Sequence, residues 1–230
     1  MQTERISIDG KDCLLFTAGS PRFVLVQPTA RHEAKNDGIY REAELIIANC
    51  DTDIALAAFD VGDWARALMP WADAAVSKDK EVGCHAADTL RYVQSALLPR
   101  LRSRFGDLPC VIGGYSLGGL FALWAAREAD AFCAVAAASP SLWIRKWGEY
   151  ASTHPMKSST VFLSLGDREE HCRNQRMKLI GDCVRSEHSL LLAQPDISHT
   201  TLEWNPGGHF GAEAERTARA FCWCVNNVAN

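Results

Sequence analysis

Short, almost wholly apolar runs alternate along this chain with longer stretches of helical spacing, and that alternation restricts it to few folds. Arg22–Gln27 (RFVLVQ), Asp53–Phe59 (DIALAAF), Phe132–Ala138 and Thr160–Leu165 read as strands buried on both faces. Cys110–Gly113 is a shorter strand of the same kind, and Thr200–Trp204 is the last. Between them, Asp37–Asn49, Ala86–Phe105, Leu117–Glu128, roughly Glu169–Leu192 and Ala212–Val228 carry apolar residues at helical intervals. Strands joined through helices of this length form a mainly parallel sheet with helices on both faces. Two opening segments, Arg5–Ile8 and Asp12–Thr17, flank Asp9-Gly10, a hairpin turn that places them antiparallel at one edge. The predicted class is α/β, a three-layer α/β/α sandwich with a mostly parallel sheet and an antiparallel N-terminal hairpin. No repeat, low-complexity tract or long linker divides residues 1–230, so a single domain is expected.

Composition narrows the classes of function. Residues of the AVILMFWYC set make up 47% of the 230, enough to build a core and to exclude general disorder. A net charge of −4 leaves no basic footprint, so no nucleic-acid partner is expected. The longest apolar runs, such as Ala131–Ala138, are far too short to span a bilayer, so no membrane partner is expected either. Met1–Gly10 holds Glu4, Arg5 and Asp9 and no apolar signal segment, which points to a cytoplasmic protein. The nine cysteines are odd in number and contain no C-x-x-C pair, so reduced thiols and no metal site are expected. Cys222-x-Cys224 reads as small buried hydrophobes.

The sharpest local signal is Gly113–Gly119, GGYSLGG, with Gly114-Tyr115-Ser116-Leu117-Gly118 at its centre. An apolar run leads into it and a helix leaves it. Such a turn must be sharp to lift the serine hydroxyl above the sheet, so the residues two before and two after it must be nearly free of side chain. The helix starting beneath the serine supplies free amides where an oxyanion would form, the Leu117 N–H first. Its competitor, a glycine turn for dinucleotide phosphate, would need G-x-G-x-x-G and a later acidic residue, and neither occurs.

A serine hydroxyl needs a base. Of seven histidines only His209 falls in the turn after the last strand, within Asn205-Pro206-Gly207-Gly208-His209. In this architecture functional side chains gather at the carboxyl ends of the strands. His199 precedes that strand, at the wrong end. An orienting acid belongs after Thr160–Leu165, where Asp167, Glu169 and Glu170 stand. Asp167 and Glu170 have the spacing of a helix capping pair, which leaves Glu169 as the preferred acid, with Asp167 behind it. A second oxyanion amide belongs to the loop after Arg22–Gln27. Pro28 has no N–H, so Thr29 or Ala30 supplies it. Trp64 and Trp143, near the same strand ends, are candidate walls of a substrate pocket, and Trp71 is nearby in sequence.

With these residues in view, the chain resembles the α/β-hydrolase superfamily. Within it, the chain is similar to the esterase family that includes S-formylglutathione hydrolase, feruloyl esterases and siderophore esterases. The resemblance rests on GGYSLGG, on Ala138-Ser139-Pro140-Ser141-Leu142-Trp143, on Leu165-Gly166-Asp167-Arg168-Glu169 and on Gly207-Gly208-His209. It implies hydrolysis of a small-molecule ester without metal or organic cofactor, with the acid three positions after Gly166. The expected activity is that of a serine carboxylesterase with Ser116, Glu169 and His209 as its catalytic residues. An acyltransferase using the same residues, or an idle binding protein on the same fold, are the competing readings. No segment between Phe132 and Thr160 is long enough for a lid domain.

Overall fold

A computed structural model describes residues 1–30, 38–77 and 83–228. His32, and Asp37 at which the first predicted helix begins, lie outside the described residues. Eight strands form one sheet: β1 (Gln2–Ile8), β2 (Lys11–Thr17), β3 (Phe23–Thr29), β4 (Ile54–Asp60), β5 (Cys110–Tyr115), β6 (Ala134–Ala138), β7 (Thr160–Gly166) and β8 (His199–Asn205). Their order is β1-β2-β4-β3-β5-β6-β7-β8. β1 and β2 pair antiparallel through the Asp9-Gly10 turn, β2 pairs antiparallel with β4, and every later pairing is parallel.

Helices α1 (Gly38–Asn49) and α8 (Glu213–Val228) cover one face of the sheet, meeting Leu25, Leu56, Val111 and Phe162. The other face carries α3 (Ala86–Tyr92), α4 (Leu98–Phe105), α5 (Leu117–Glu128) and α7 (Ile180–Leu192), packed on Val24, Val26, Ile112, Val135 and Leu163. Neighbouring residues of β3 thus serve opposite cores, as the pleat requires, and this is why the central strands read as continuous apolar runs. Cys222 and Cys224 are buried, and the Cys224 thiol donates to the Val135 carbonyl.

Strand β3 tolerates Pro28 for a definite reason. Its ladder with β5 covers only Val24 to Val26, whereas its ladder with β4 continues to Thr29. The missing N–H therefore faces the side where pairing has already ended. Between β3 and β5 the order of the strands also reverses direction, because the connection from β3 runs to one side and the later one returns to the other. The carboxyl ends of β3 and β5 consequently border the crevice where α/β sheets bind ligands.

Four segments depart from the sequence reading. The long helix expected over Glu169–Leu192 is broken into 3₁₀ turns at Glu169–His171 and Met177–Leu179 before α7. Asp167 and Glu170 do not cap it: Asp167 Oδ1 accepts from the Gly207 amide at 2.8 Å, and Glu170 takes both guanidinium nitrogens of Arg185. Asn174 does the local capping, its Oδ1 accepting from the amides of Arg176 and Met177. The helical stretch 86–105 contains a π turn at Val93–Leu97 just ahead of Pro99. Two short helices were not foreseen, α2 (Trp64–Leu68), capped by Asp63, and α6 (Trp147–Thr153). Each is too short for a periodic pattern to emerge.

Candidate active site

Strand β5 ends at Tyr115 and α5 begins at Leu117, so the chain turns at Ser116 alone. Ser116 sits at φ 57° and ψ −116°, a backbone conformation that costs a residue bearing a Cβ on the order of 1–3 kcal/mol. The glycines around it make the turn possible. A Cβ on Gly114 would meet the Gly118 backbone at 3.0 Å, and one on Gly119 would meet the Gly114 carbonyl oxygen at 3.0 Å. Pro28 and Trp64 pack on Gly118, which closes the end of β3 and the start of α2 onto the first turn of α5. The Ser116 carbonyl accepts from the amides of Leu120 and Ser141.

The structure brings Ser116, His209 and Glu169 together in one chain of hydrogen bonds. Ser116 Oγ lies 3.0 Å from His209 Nε2, and His209 Nδ1 lies 2.6 Å from Glu169 Oε2. Ser141 Oγ is 3.1 Å from Ser116 Oγ. Of the two acids weighed from the sequence, Glu169 is the one in contact with His209. Asp167 is occupied with the loop that carries His209, not with a helix end, and its Gly207 contact ties the turn after β8 to the end of β7.

Glu169 is buried, with its side chain 5% exposed. Burial opposes its ionised form, but hydrogen bonds from His209, the Gly166 amide and the Ser139 hydroxyl outweigh that and hold the carboxyl below its ordinary range. Gly166 must be glycine for this approach. A Cβ there would lie 2.5 Å from the Gly207 carbonyl oxygen and 2.9 Å from Glu169 Oε1. Tyr115, next to the serine, donates its hydroxyl to the His209 carbonyl at 2.6 Å, and burial raises its pKa so that it stays a neutral donor.

A cavity of about 810 Å³ opens on Ser116, Leu117 and His209, with Trp64, Val76, Trp143, Met177 and Phe210 on its walls. Trp64 and Trp143 are therefore both at the cavity. Trp71 is not among its walls; its indole N–H donates to the Arg145 carbonyl at 2.7 Å and its ring stacks near Trp147. Thr29 closes β3 and is buried, its carbonyl accepting from Val61, and neither it nor Ala30 is in the cavity lining. Sequence reasoning missed the side chains that brace this site. Asp73 accepts from the Arg145 amide and pairs with Arg176, whose Nε donates to the Trp143 carbonyl, so these residues pin the aromatic wall. Their only sequence signal was an acidic residue in a Trp-rich loop.

The family model described as Putative esterase matches residues 46–200 of the 230. The chain belongs to that family. This esterase also resembles solved structures across almost its whole length. The siderophore hydrolase EstA of Aspergillus nidulans is 16% identical, with 98% of this chain and 94% of that one covered, at a TM-score of 0.74. An IroE-like serine hydrolase of Shewanella oneidensis is 15% identical over 100% of this chain and 81% of that one, at 0.79. The enterochelin esterase of Shigella flexneri is 17% identical over 100% of this chain and 60% of that one, at 0.74. At such identities the likeness shows the shared α/β-hydrolase fold. No curated protein matches the chain.

Proposed function

We propose that this esterase is a serine carboxylesterase, hydrolysing a small or aryl ester through an acyl-enzyme on Ser116. The observation that carries the reading is the unbroken line from Glu169 through His209 to Ser116, at 2.6 and 3.0 Å, on a strained turn beside an apolar cavity. In this mechanism Ser116 Oγ attacks the ester carbonyl carbon while its proton passes to His209 Nε2. The resulting oxyanion accepts from the Leu117 amide and from a second amide, that of Thr29 or Ala30, at the end of β3. The carbon–oxygen bond to the alcohol then breaks as His209 returns its proton to the leaving oxygen. Water repeats the sequence and frees the acid and Ser116. Glu169 keeps the Nδ1–H tautomer of His209 aimed at Ser116 and stabilises the imidazolium. Trp64 and Trp143 take the acyl or aryl group. The nine free cysteines suit a reducing compartment, and no described helix is long and apolar enough to cross a membrane; we place the protein in the cytoplasm, working as one domain.

A fluorophosphonate probe followed by peptide mass analysis tests this directly. The adduct is expected on Ser116 and absent from Ser116→Ala. Turnover of p-nitrophenyl butyrate by that variant should fall by something on the order of 10⁶, as it does when subtilisin loses its nucleophile. An adduct on another residue, or activity of Ser116→Ala within tenfold of the parent, refutes the assignment.

A further inference from the structure

Arg216, in the first turn of α8, is 4% exposed. A guanidinium is costly to bury without partners, and all the acceptors it reaches belong to the elements that carry the site. Its Nη1 lies 3.2 Å from Glu169 Oε1, 3.1 Å from Tyr115 Oη and 3.4 Å from Ser139 Oγ. Its Nη2 donates to the Pro206 carbonyl at 3.0 Å. Two N–H groups on Nη1 are shared among three acceptors, which accounts for the length of each contact. Tyr115 closes β5, Ser139 follows β6, Glu169 follows β7, and Pro206 lies in the turn that leads from β8 to His209. One side chain from a helix beneath the sheet thus ties together the ends of four neighbouring strands.

The division of labour on Glu169 shows what the tie does. Oε2 is left to His209, whereas Oε1 takes Gly166, Ser139 and Arg216. A glutamate has one more rotatable bond than an aspartate, so without a clamp on Oε1 its carboxylate can swing away from the imidazole. The second branch runs through Tyr115, which accepts from Arg216 and donates to the His209 carbonyl, fixing the same imidazole from its backbone side. The guanidinium touches neither the cavity nor Ser116.

We propose that Arg216 is the positioning residue of this esterase, holding Glu169 by its outer oxygen and His209 through Tyr115 and Pro206. The proposal rests on the assignment of Ser116, His209 and Glu169 above. Arg216→Met removes the fork at similar length. Its kcat should fall by on the order of 10- to 100-fold, by analogy with the loss of hydrogen-bond partners that orient metal-ligating side chains, with KM within about twofold and fluorophosphonate labelling of Ser116 slowed in parallel. Arg216→Lys can reach Glu169 but not all four acceptors at once, and should recover a large part of the lost kcat. Tyr115→Phe, which loses only a hydroxyl, should lower kcat by several-fold and leave the melting temperature nearly unchanged.

A lower melting temperature with kcat of the folded Arg216→Met enzyme within twofold of the parent overturns the proposal, because a mere clamp on the fold would behave so. Should Arg216→Met fail to fold, Arg216→Lys and Tyr115→Phe decide it: parental kcat in both overturns it, and a graded loss at constant KM supports it. A parent enzyme that fluorophosphonate does not label at Ser116 overturns the underlying assignment instead, a result read before any variant is made.

Discussion

Glu169 and Asp167 are two residues apart and do unlike things because their carboxylates point into different surroundings. Glu169 is buried against His209, whereas Asp167 is exposed and holds the Gly207 amide. Glu169→Gln keeps the size but loses the charge that stabilises an imidazolium. Its kcat should fall by on the order of 10³–10⁴, measured under single-turnover conditions with p-nitrophenyl acetate. Asp167→Asn keeps an oxygen acceptor for Gly207 and should retain activity within a few-fold. If Asp167→Asn were the dead enzyme and Glu169→Gln the active one, the two roles would have to be exchanged. Gly166 supplies a third check at this scale. Its Cβ position lies 2.5 Å from one backbone oxygen and 2.9 Å from another, so neither can retreat without moving the loop that carries His209. Gly166→Ala should therefore lose activity well before it loses its fold, visible as a fall in kcat larger than its loss of helical circular dichroism.

At the scale of elements, the helices of one face are joined by a buried ion pair. Arg127 of α5 and Glu187 of α7 lie 2.6 Å apart with side chains 0% and 1% exposed, and the Trp147 indole of α6 donates to the same carboxylate. Arg127 also donates to the carbonyls of Leu123 and His154. Removing one partner leaves an uncompensated charge, so Glu187→Gln should cost about 3–5 kcal/mol in urea unfolding. The kcat of the folded fraction should be unchanged, since none of these groups reaches the cavity. A variant as stable as the parent would mean that the short helix α6 is not held in this way.

For the whole molecule, several groups make stability depend on pH in the same sense. Glu169 is held below its ordinary pKa as described, Glu170 is lowered chiefly by its bond from Arg185, and Asp73 is lowered because backbone bonds from Arg145 and Ala75 outweigh its burial. A depressed carboxyl stabilises the fold above its unfolded pKa, and that contribution is lost as pH falls through the folded value. Burial also lowers His188 from 6.5. The unfolded chain therefore takes up that proton first, and stability declines as pH drops below about 6.5. The melting temperature should fall gently from pH 7 to 5 and steeply below about 4.5. In Glu169→Gln the steep part should be shallower, and an unchanged slope there would contradict the lowered Glu169. At this scale too belongs substrate size. The cavity of about 810 Å³ carries the bulky side chains of Trp64, Trp143, Met177 and Phe210 on its walls. Butyrate esters should be turned over faster than dodecanoate esters, and the reverse order of kcat/KM would count against the small-ester reading.

The fold was legible in the sequence because buried strands and amphipathic helices each have a period that local residues must obey. The serine turn was legible for a similar reason: a positive φ at Ser116 and backbone contacts near 3.0 Å demand glycines at fixed positions, and those appear as GGYSLGG. His209 was legible as a histidine after the last strand. The partners of the acids were not. Capping spacing matched Asp167 and Glu170, yet Gly207 and Arg185 compete for the same carboxylates from 40 and 15 residues away. Arg216 was invisible for the same reason, since an arginine in a helix is ordinary until the sheet brings four strand ends to its guanidinium. Periodicity and steric demand are properties of neighbouring residues and can be read along the chain. Which charge meets which is settled only when distant segments share one dry space, where a group must find a partner or stay out.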